Sequence, residues 1–504
     1  MDVSPLLLPI LFFSFLFFLS HKFVQKKKLP DGDSDTNKIG LSDVVKNLQR
    51  KNFLTWTAEL VVASPTKTIN LLSCIITGNP KNVEHILKTN FENYPKGNDF
   101  VNLLEDFLGH GIFNADGDHW KLQRKTASLE FNNKTIRNFI LDNLDREVVG
   151  RFLPLLSKAA ASGESIDLQD LLDRLAFDNV CKVAFDVDAA RLVGDTAEVG
   201  RFVWAFETAA GISIKRFQQP RFLWKLRRAL NLGEERRLKE ELAVVNEFAT
   251  KVVKERKGRK REEIEGSDDL LSRFIAEGDF SDEFLRDIVI SFVLAGRDTT
   301  STAMAWIFWA LSTRPEVQQK ILEEIASVRS RSGNAGEMLT LDELREMEYL
   351  HAVVSETLRL YPPVPMQQRV CMRDDVLPDG TRVKRGWSVM SHSYAMARTE
   401  GIWGEDCKEF NPERWLQNGS FQPKNPYRFP VFHAGPRTCL GKEMAYIQMK
   451  AVVASVMERF EIAVVDEDGE REREIEYLIT MRIKGGLPVQ VRTRERHLPE
   501  ERKD

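Results

Sequence analysis

Residues 432–441 read Phe432-His433-Ala434-Gly435-Pro436-Arg437-Thr438-Cys439-Leu440-Gly441. Gly435-Pro436 is a tight-turn pair, and Gly441 gives the backbone room for close approach. Arg437 sets a cation beside whatever anionic group the turn faces. Cys439 then opens an apolar helix marked by Met444, Ile447, Met449, Val452 and Val453. A thiol at a helix N-terminus is biased toward thiolate. A lone cysteine is otherwise read as a buried structural residue, and on these ten residues alone both readings stand.

Upstream, Ser281 to Thr313 reads as one long helix. Ser281 is its N-cap, Asp282 and Glu283 suit the first turn, and Pro315 stops it. At 1.5 Å per residue it spans roughly 50 Å, enough to cross a domain. It is apolar nearly all round and so predicted to be buried. Its middle nevertheless holds Ala295-Gly296-Arg297-Asp298-Thr299-Thr300. Mid-helix glycine costs about 1 kcal/mol against alanine, and a buried charge costs more unless paired. The stretch is either a kink with satisfied polar groups or a gap where a ligand meets the backbone.

Three weaker patterns lie in order along the chain. Trp120 and Arg124 (W-x-x-x-R) share a helical face one turn apart. Glu356 and Arg359 (E-x-x-R) precede Tyr361-Pro362-Pro363, and Pro412-Glu413-Arg414-Trp415 follows. Singly, these read as packing and as surface pairs of little worth.

Together they resemble the cytochrome P450 family, whose loop F-x-x-G-x-R-x-C-x-G is matched at every fixed position by Phe432 to Gly441. The resemblance covers essentially the whole chain after its first residues. It implies a mainly α fold with small β-sheets (α+β), with one long central helix over a haem b. Cys439 would be the axial thiolate on iron, the ligation typical of this family. Trp120, Arg124, Arg437, Phe432 and Gly441 would hold the haem. Glu356, Arg359 and Arg414 would form a structural network on its proximal side. Asp298-Thr299 matches the family's acid–alcohol pair, with Thr299 delivering protons, Asp298 supplying them, and Ala295 and Gly296 leaving room for O2. The resemblance is nearest to plant fatty-acid ω-hydroxylases, through Phe91 to Gly97, Gly111 to Trp120 and Phe429 to Ala434. By analogy with the fold, Phe100, Phe107, Phe292, Val293, Ala295, Val364, Met366 and Ile479 would line the substrate pocket.

The expected reaction is O2- and NADPH-dependent hydroxylation of the terminal carbon of a lipid, first a fatty acid. Nothing in the chain resembles a flavin or nicotinamide domain. Electrons would come from a separate NADPH–cytochrome P450 reductase docking around Lys121, Lys125 and Lys442. Two stretches depart from the relatives. Met366-Gln367-Gln368-Arg369 lacks the tryptophan-then-acid pattern of enzymes acting on jasmonate conjugates. Leu478-Ile479-Thr480-Met481-Arg482 stands where a Thr-Ala-His run is common. A sterol side-chain (C-26) hydroxylase is therefore the main rival, with a jasmonate-conjugate hydroxylase beside it. Gln367, Gln368 and Arg369 are candidates for a head-group contact. An oxygen-independent haem-thiolate isomerase has little use for an acid–alcohol pair. A non-catalytic haem- or lipid-binding membrane protein has little use for Cys439, Thr299, Glu356 and Arg359 together.

The bulk properties fit this frame. The 504 residues are 42% hydrophobic, with a formal net charge of -3, which gives no pull toward nucleic acid. The cysteines (Cys74, Cys181, Cys371, Cys407, Cys439) are odd in number and widely spaced, which argues against a disulfide framework or a zinc site. Leu6 to Leu19 is almost wholly apolar and is followed by Lys22, Lys26, Lys27 and Lys28. That order predicts a single-pass anchor with a cytosolic body, in the endoplasmic reticulum membrane. The expected layout is an anchor at 1–25, a polar connector at 26–50 that offers only Pro30 where the family usually has a proline-rich hinge, and the catalytic domain at 51–504. The charge-dense run 251–263 is read as a solvated helix end, since acids follow at once and no aromatics interleave.

Overall fold

The computed structural model describes residues 38–39, 53–71, 73–131, 134–267, 269–334, 336–465 and 473–494. The expected anchor, and the connector apart from Lys38–Ile39, lie outside the described residues. Among the described residues no helix is long and apolar enough to cross a membrane.

Helices dominate, and the sheets are small, as an α+β fold requires. Strands Thr68–Leu71 and Cys74–Thr77 form a hairpin. Cys74–Thr77 then pairs in parallel with Ser388–His392 (Cys74 opposite Ser388), and that strand pairs antiparallel with Met366–Val370 (Arg369 opposite Val389). Near the C-terminus, Phe460–Val464 pairs with Pro488–Thr493, and Ile475–Tyr477 with Met481–Ile483.

The central helix is present, but it is not uniform. Asp282–Val293 and Thr299–Ser312 are α-helical, and Leu294–Asp298 between them forms one wide π turn. Ser281 caps the N-terminus by accepting from the Phe284 N–H. Pro315 ends this helix and opens the next, Pro315–Ser332. The Thr299–Ser312 half is buried on nearly every side, with Trp306 only 1% exposed. It packs against the helices Leu168–Phe185, Glu348–Leu360 and Lys442–Arg459. Trp306 Nε1 donates to the Met481 carbonyl at 2.7 Å, so even its polar edge is spoken for.

Glycine at 296 has a packing cause that corrects the expectation of space left for O2. A Cβ there would lie 2.5 Å from Val180 Cγ2 on the Leu168–Phe185 helix. The residue is small so that two helices can approach. In the run 251–263, most charges are solvated, but Arg256 is buried and lies 3.3 Å from Asp269.

Candidate active site

Cys439 lies between the 3₁₀ turn Gly435–Arg437 and the helix Lys442–Arg459. Its N–H donates to the Phe432 carbonyl at 2.8 Å, which closes the loop. Gly435 has φ +67, and a Cβ there would stand 2.0 Å from the Leu87 carbonyl oxygen, so only glycine fits. Gly441 is different. A Cβ there would meet no protein atom closer than 3.7 Å. Its N–H bonds toward the Cys439 sulfur.

The expectation of a thiolate-biased cysteine needs correcting for this protein matrix. Burial raises the Cys439 thiol above its ordinary value and outweighs the Gly441 N–H, Arg124 and Lys442, which pull it down. The side chain is enclosed by protein on the wider scale yet keeps open surface. Binding to a metal ion would remove the proton outright.

Beside this cysteine stands a concentration of positive charge. Arg369, Lys96, Arg124 and Arg437 gather there with one carboxylate, Asp116. Arg369 is 1% exposed. Burial, then Arg437, pushes its guanidinium down to about 9. Burial lowers Arg437 to about 10, against the pull of Asp116. Lys96 falls well below the ordinary lysine range through burial, then Arg369 and Arg437. Arg124 is lowered by burial, while Cys439 pulls the other way. Arg369 Nη2 lies 2.6 Å from His433 Nε2, and the Ala434 N–H donates to His433 Nδ1 at 3.0 Å. His433 is held neutral by burial, then by Arg369 and Lys96. The Nε atoms of Arg369 and Arg437 are buried without a partner.

Basic side chains that repel one another beside an accessible cysteine call for an anionic partner. A haem, with two carboxylates on one edge and an iron for the thiolate, fits this donor set. Trp120 lies under the Arg437 guanidinium at 4.3 Å, so the two residues act as a pair. Phe432 sits 5.3 Å from Tyr446, ring centre to ring centre, on the wall of the loop. Lys96, Asp116 and His433 had no role in the sequence reading. Arg369 had the wrong one: it faces His433 and the cation cluster. Gln367 donates to the Pro430 carbonyl at 3.2 Å and Gln368 to Ser388 Oγ at 3.1 Å. None of these three is placed as a head-group contact.

Glu356 and its arginines come together in full burial. The Glu356 carboxylate accepts from Arg359 (2.7 and 2.8 Å), Arg414 (2.9 Å), Trp415 Nε1 (2.9 Å) and the Asn411 N–H (2.9 Å). Arg359 also donates to the carbonyls of Ala397, Cys407 and Glu409. Every strong donor and acceptor has a partner, which is the condition for burying such charge.

Thr299 Oγ1 donates to the Ala295 carbonyl at 2.7 Å, taking up an acceptor at the π turn. Ala295 and Thr299 lie one turn apart and both keep some accessible surface. Asp298 points elsewhere. Its Oδ1 has no hydrogen-bond partner and lies 3.5 Å from Arg297 Nη1. Burial is the main cause that pushes it up to about 6; Arg297 and Arg482 oppose this, while Asp173 and Glu207 add to it. It lines a polar cleft of about 570 Å3 with Asp173, Glu207, Arg297, Thr480 and Arg482. Cys439 is not on that wall. The side chains of Asp298 and Thr299 make no hydrogen bond with each other, so any relay between them passes through water.

The proposed pocket residues divide. Phe107, Phe292 and Val293 are packed into the core, Phe107 against Phe206 and Phe292 against Phe131 and Phe274. Core packing accounts for them without a substrate. Met366 is buried at the start of its strand. Phe100, Ala295, Val364 and Ile479 keep accessible surface.

Comparison with known proteins agrees with this geometry. The family model described as Cytochrome P450 matches residues 65–488. Cytochrome P450 CYP94D108 of Paris polyphylla is 57% identical over 474 residues, 93% of this chain and 94% of that relative. Cytochrome P450 CYP94D109 of the same plant is 62% identical over 449 residues, 87% and 89% of the two chains. Cytochrome P450 94A1 of Vicia sativa is 44% identical over 464 residues, 89% and 88%. With the family model matched over residues 65–488 and relatives that cover most of its length, the chain belongs to the cytochrome P450 family of haem-iron, O2-dependent monooxygenases and takes its electrons from a redox partner.

Proposed function

We propose that this monooxygenase hydroxylates the terminal carbon of a long apolar chain, first of all a fatty acid. The observation that supports this reading is that Phe100, Ala295 and Val364, the candidate pocket residues that keep accessible surface outside the polar cleft, are apolar, while the polar side chains of the strand Met366–Val370 are turned to other partners. Apolar side chains hold a chain by exclusion of water. A terminal C–H bond is stronger than its neighbours, so its selection has to come from position.

When bound on Cys439, the haem supplies activation of O2, and the thiolate's electron push favours O–O cleavage. Arg437 on Trp120, with Arg369 and Lys96, would hold the haem's carboxylates. Thr299 would hand a proton inward from the π turn. Asp298, with a pKa near 6, is poised to exchange protons with water in the cleft close to neutral pH. NADPH would reach the site only as electrons, through a separate reductase. Residues 1–25 would anchor the chain in the endoplasmic reticulum membrane, with the body in the cytosol, where apolar substrates partition nearby.

A sterol side chain is the second reading. It gains from Gln367 and Gln368, whose side chains are turned to Pro430 and Ser388 and leave no polar group of theirs for a fatty-acid carboxylate. The test is turnover in microsomes with a plant reductase and NADPH. Laurate, oleate, a hydroxylated cholesterol and a jasmonoyl conjugate are compared, with products identified by mass spectrometry. Terminally hydroxylated fatty acid as the main product supports the first reading. Product from the sterol alone, or from the conjugate alone, overturns it.

A further inference from the structure

We propose that Asp116 is a positioning residue which sets the charge of the cation cradle beside Cys439, and through it the retention and reduction potential of the haem. Its carboxylate joins three segments. It accepts from the Lys96 N–H at 3.0 Å, the Gly97 N–H at 2.9 Å and Arg437 Nη2 at 2.6 Å. It also precedes the helix Gly117–Phe131, which carries Trp120 and Arg124. The loop that offers the two N–H groups has little freedom to move. Gly97 has φ +79, and a Cβ there would lie 2.8 Å from Val370.

Charge makes the position matter. Lys96, Arg124, Arg369 and Arg437 are basic side chains gathered there, and Asp116 is the carboxylate paired directly with Arg437. Arg437 is gripped on two sides, by Asp116 and by the Trp120 ring at 4.3 Å. Without the acid, Arg437 would keep only the Ala115 carbonyl and the Trp120 ring, and the cradle would gain a full unit of positive charge. A more positive surround favours the reduced form of a bound haem. This inference rests on the family and the cradle, and does not depend on the substrate.

The test uses full-length holoprotein carrying Asp116→Asn or Asp116→Glu. Two quantities are measured: the midpoint potential by spectroelectrochemical titration, and the rate of haem transfer to an apo-globin scavenger. In Asp116→Asn the potential is expected to shift positive, and haem loss to quicken about tenfold, in the range of other outer-shell changes. Asp116→Glu keeps the charge and is expected to hold the wild-type potential. A purely structural role would move haem loss in both variants and leave the potential alone. Wild-type potential in Asp116→Asn overturns the proposal, as does an equal shift in both variants. If Asp116→Asn retains no haem, Asp116→Glu decides: haem bound at the wild-type potential supports the charge role, and failure to bind haem overturns it.

Discussion

Asp298 carries an ionisable carboxyl where burial opposes its charge. Its value rises from the ordinary 3.8 to about 6. A raised acid stabilises the fold while it is protonated. That contribution is fully present below about pH 4 and is lost as pH rises through about 6. Asp298→Asn removes the ionisation and its cost. Its thermal midpoint, relative to wild type, is therefore expected to rise between pH 4 and 6 and level off above. A difference that is flat with pH would refute the shift. Thr299→Ala in turn is expected to divert reducing equivalents from product to hydrogen peroxide, measured as product formed per NADPH consumed. At this scale the sequence was legible where chemistry demands one residue type at one spacing, as at Cys439 and Glu356. It was silent on Lys96, Asp116 and His433. Their role comes from meeting one another across as many as 337 positions (96 to 433), and no local pattern encodes that.

The central helix shows how an element departs from its own periodicity. A continuous helix was the expectation, and the wide turn at Leu294–Asp298 is what formed. Such turns recur at functional sites. Thr299 absorbs the Ala295 carbonyl there. Gly296 answers to Val180. Gly296→Ala is expected to destabilise the protein by about 1–3 kcal/mol, the usual cost of overpacking. Val180→Ala, placed in the same chain, should return most of that loss; chemical denaturation of the two single variants and the double variant checks it. On the helix Glu348–Leu360, Glu356→Gln would leave the buried Arg359 without its carboxylate, while Arg414 would keep Asp406. A loss of about 3–5 kcal/mol is expected, because the Arg359 charge stays buried and uncompensated. The E-x-x-R spacing announced the Glu356–Arg359 contact, since i and i+3 share a helix face. It could not announce Trp415 or Asn411 as further donors.

At the scale of the whole molecule, the open question is where electrons enter. Lys121, Lys125 and Lys442 are all exposed, and Lys442 lies close enough to Cys439 to lower its thiol. If the reductase docks here, Lys125→Glu with Lys442→Glu should weaken its binding most at low ionic strength and little at high salt. A titration of reductase against the rate of first electron transfer, run at two salt concentrations, measures this. A loss that does not change with salt would place the docking surface elsewhere.

Local rules sufficed for what is local. The cysteine loop, the N-cap of the long helix and the class of fold could be read from spacing, residue type and resemblance, because helix geometry and ligand chemistry act over a few residues. The tertiary structure alone decided which charges share a space. It placed Arg369 with the cation cluster, turned Asp298 toward the cleft, packed Phe107, Phe292 and Val293 into the core, and gave Gly296 its neighbour. Burial and electrostatics depend on everything within several ångströms, whatever its distance along the chain.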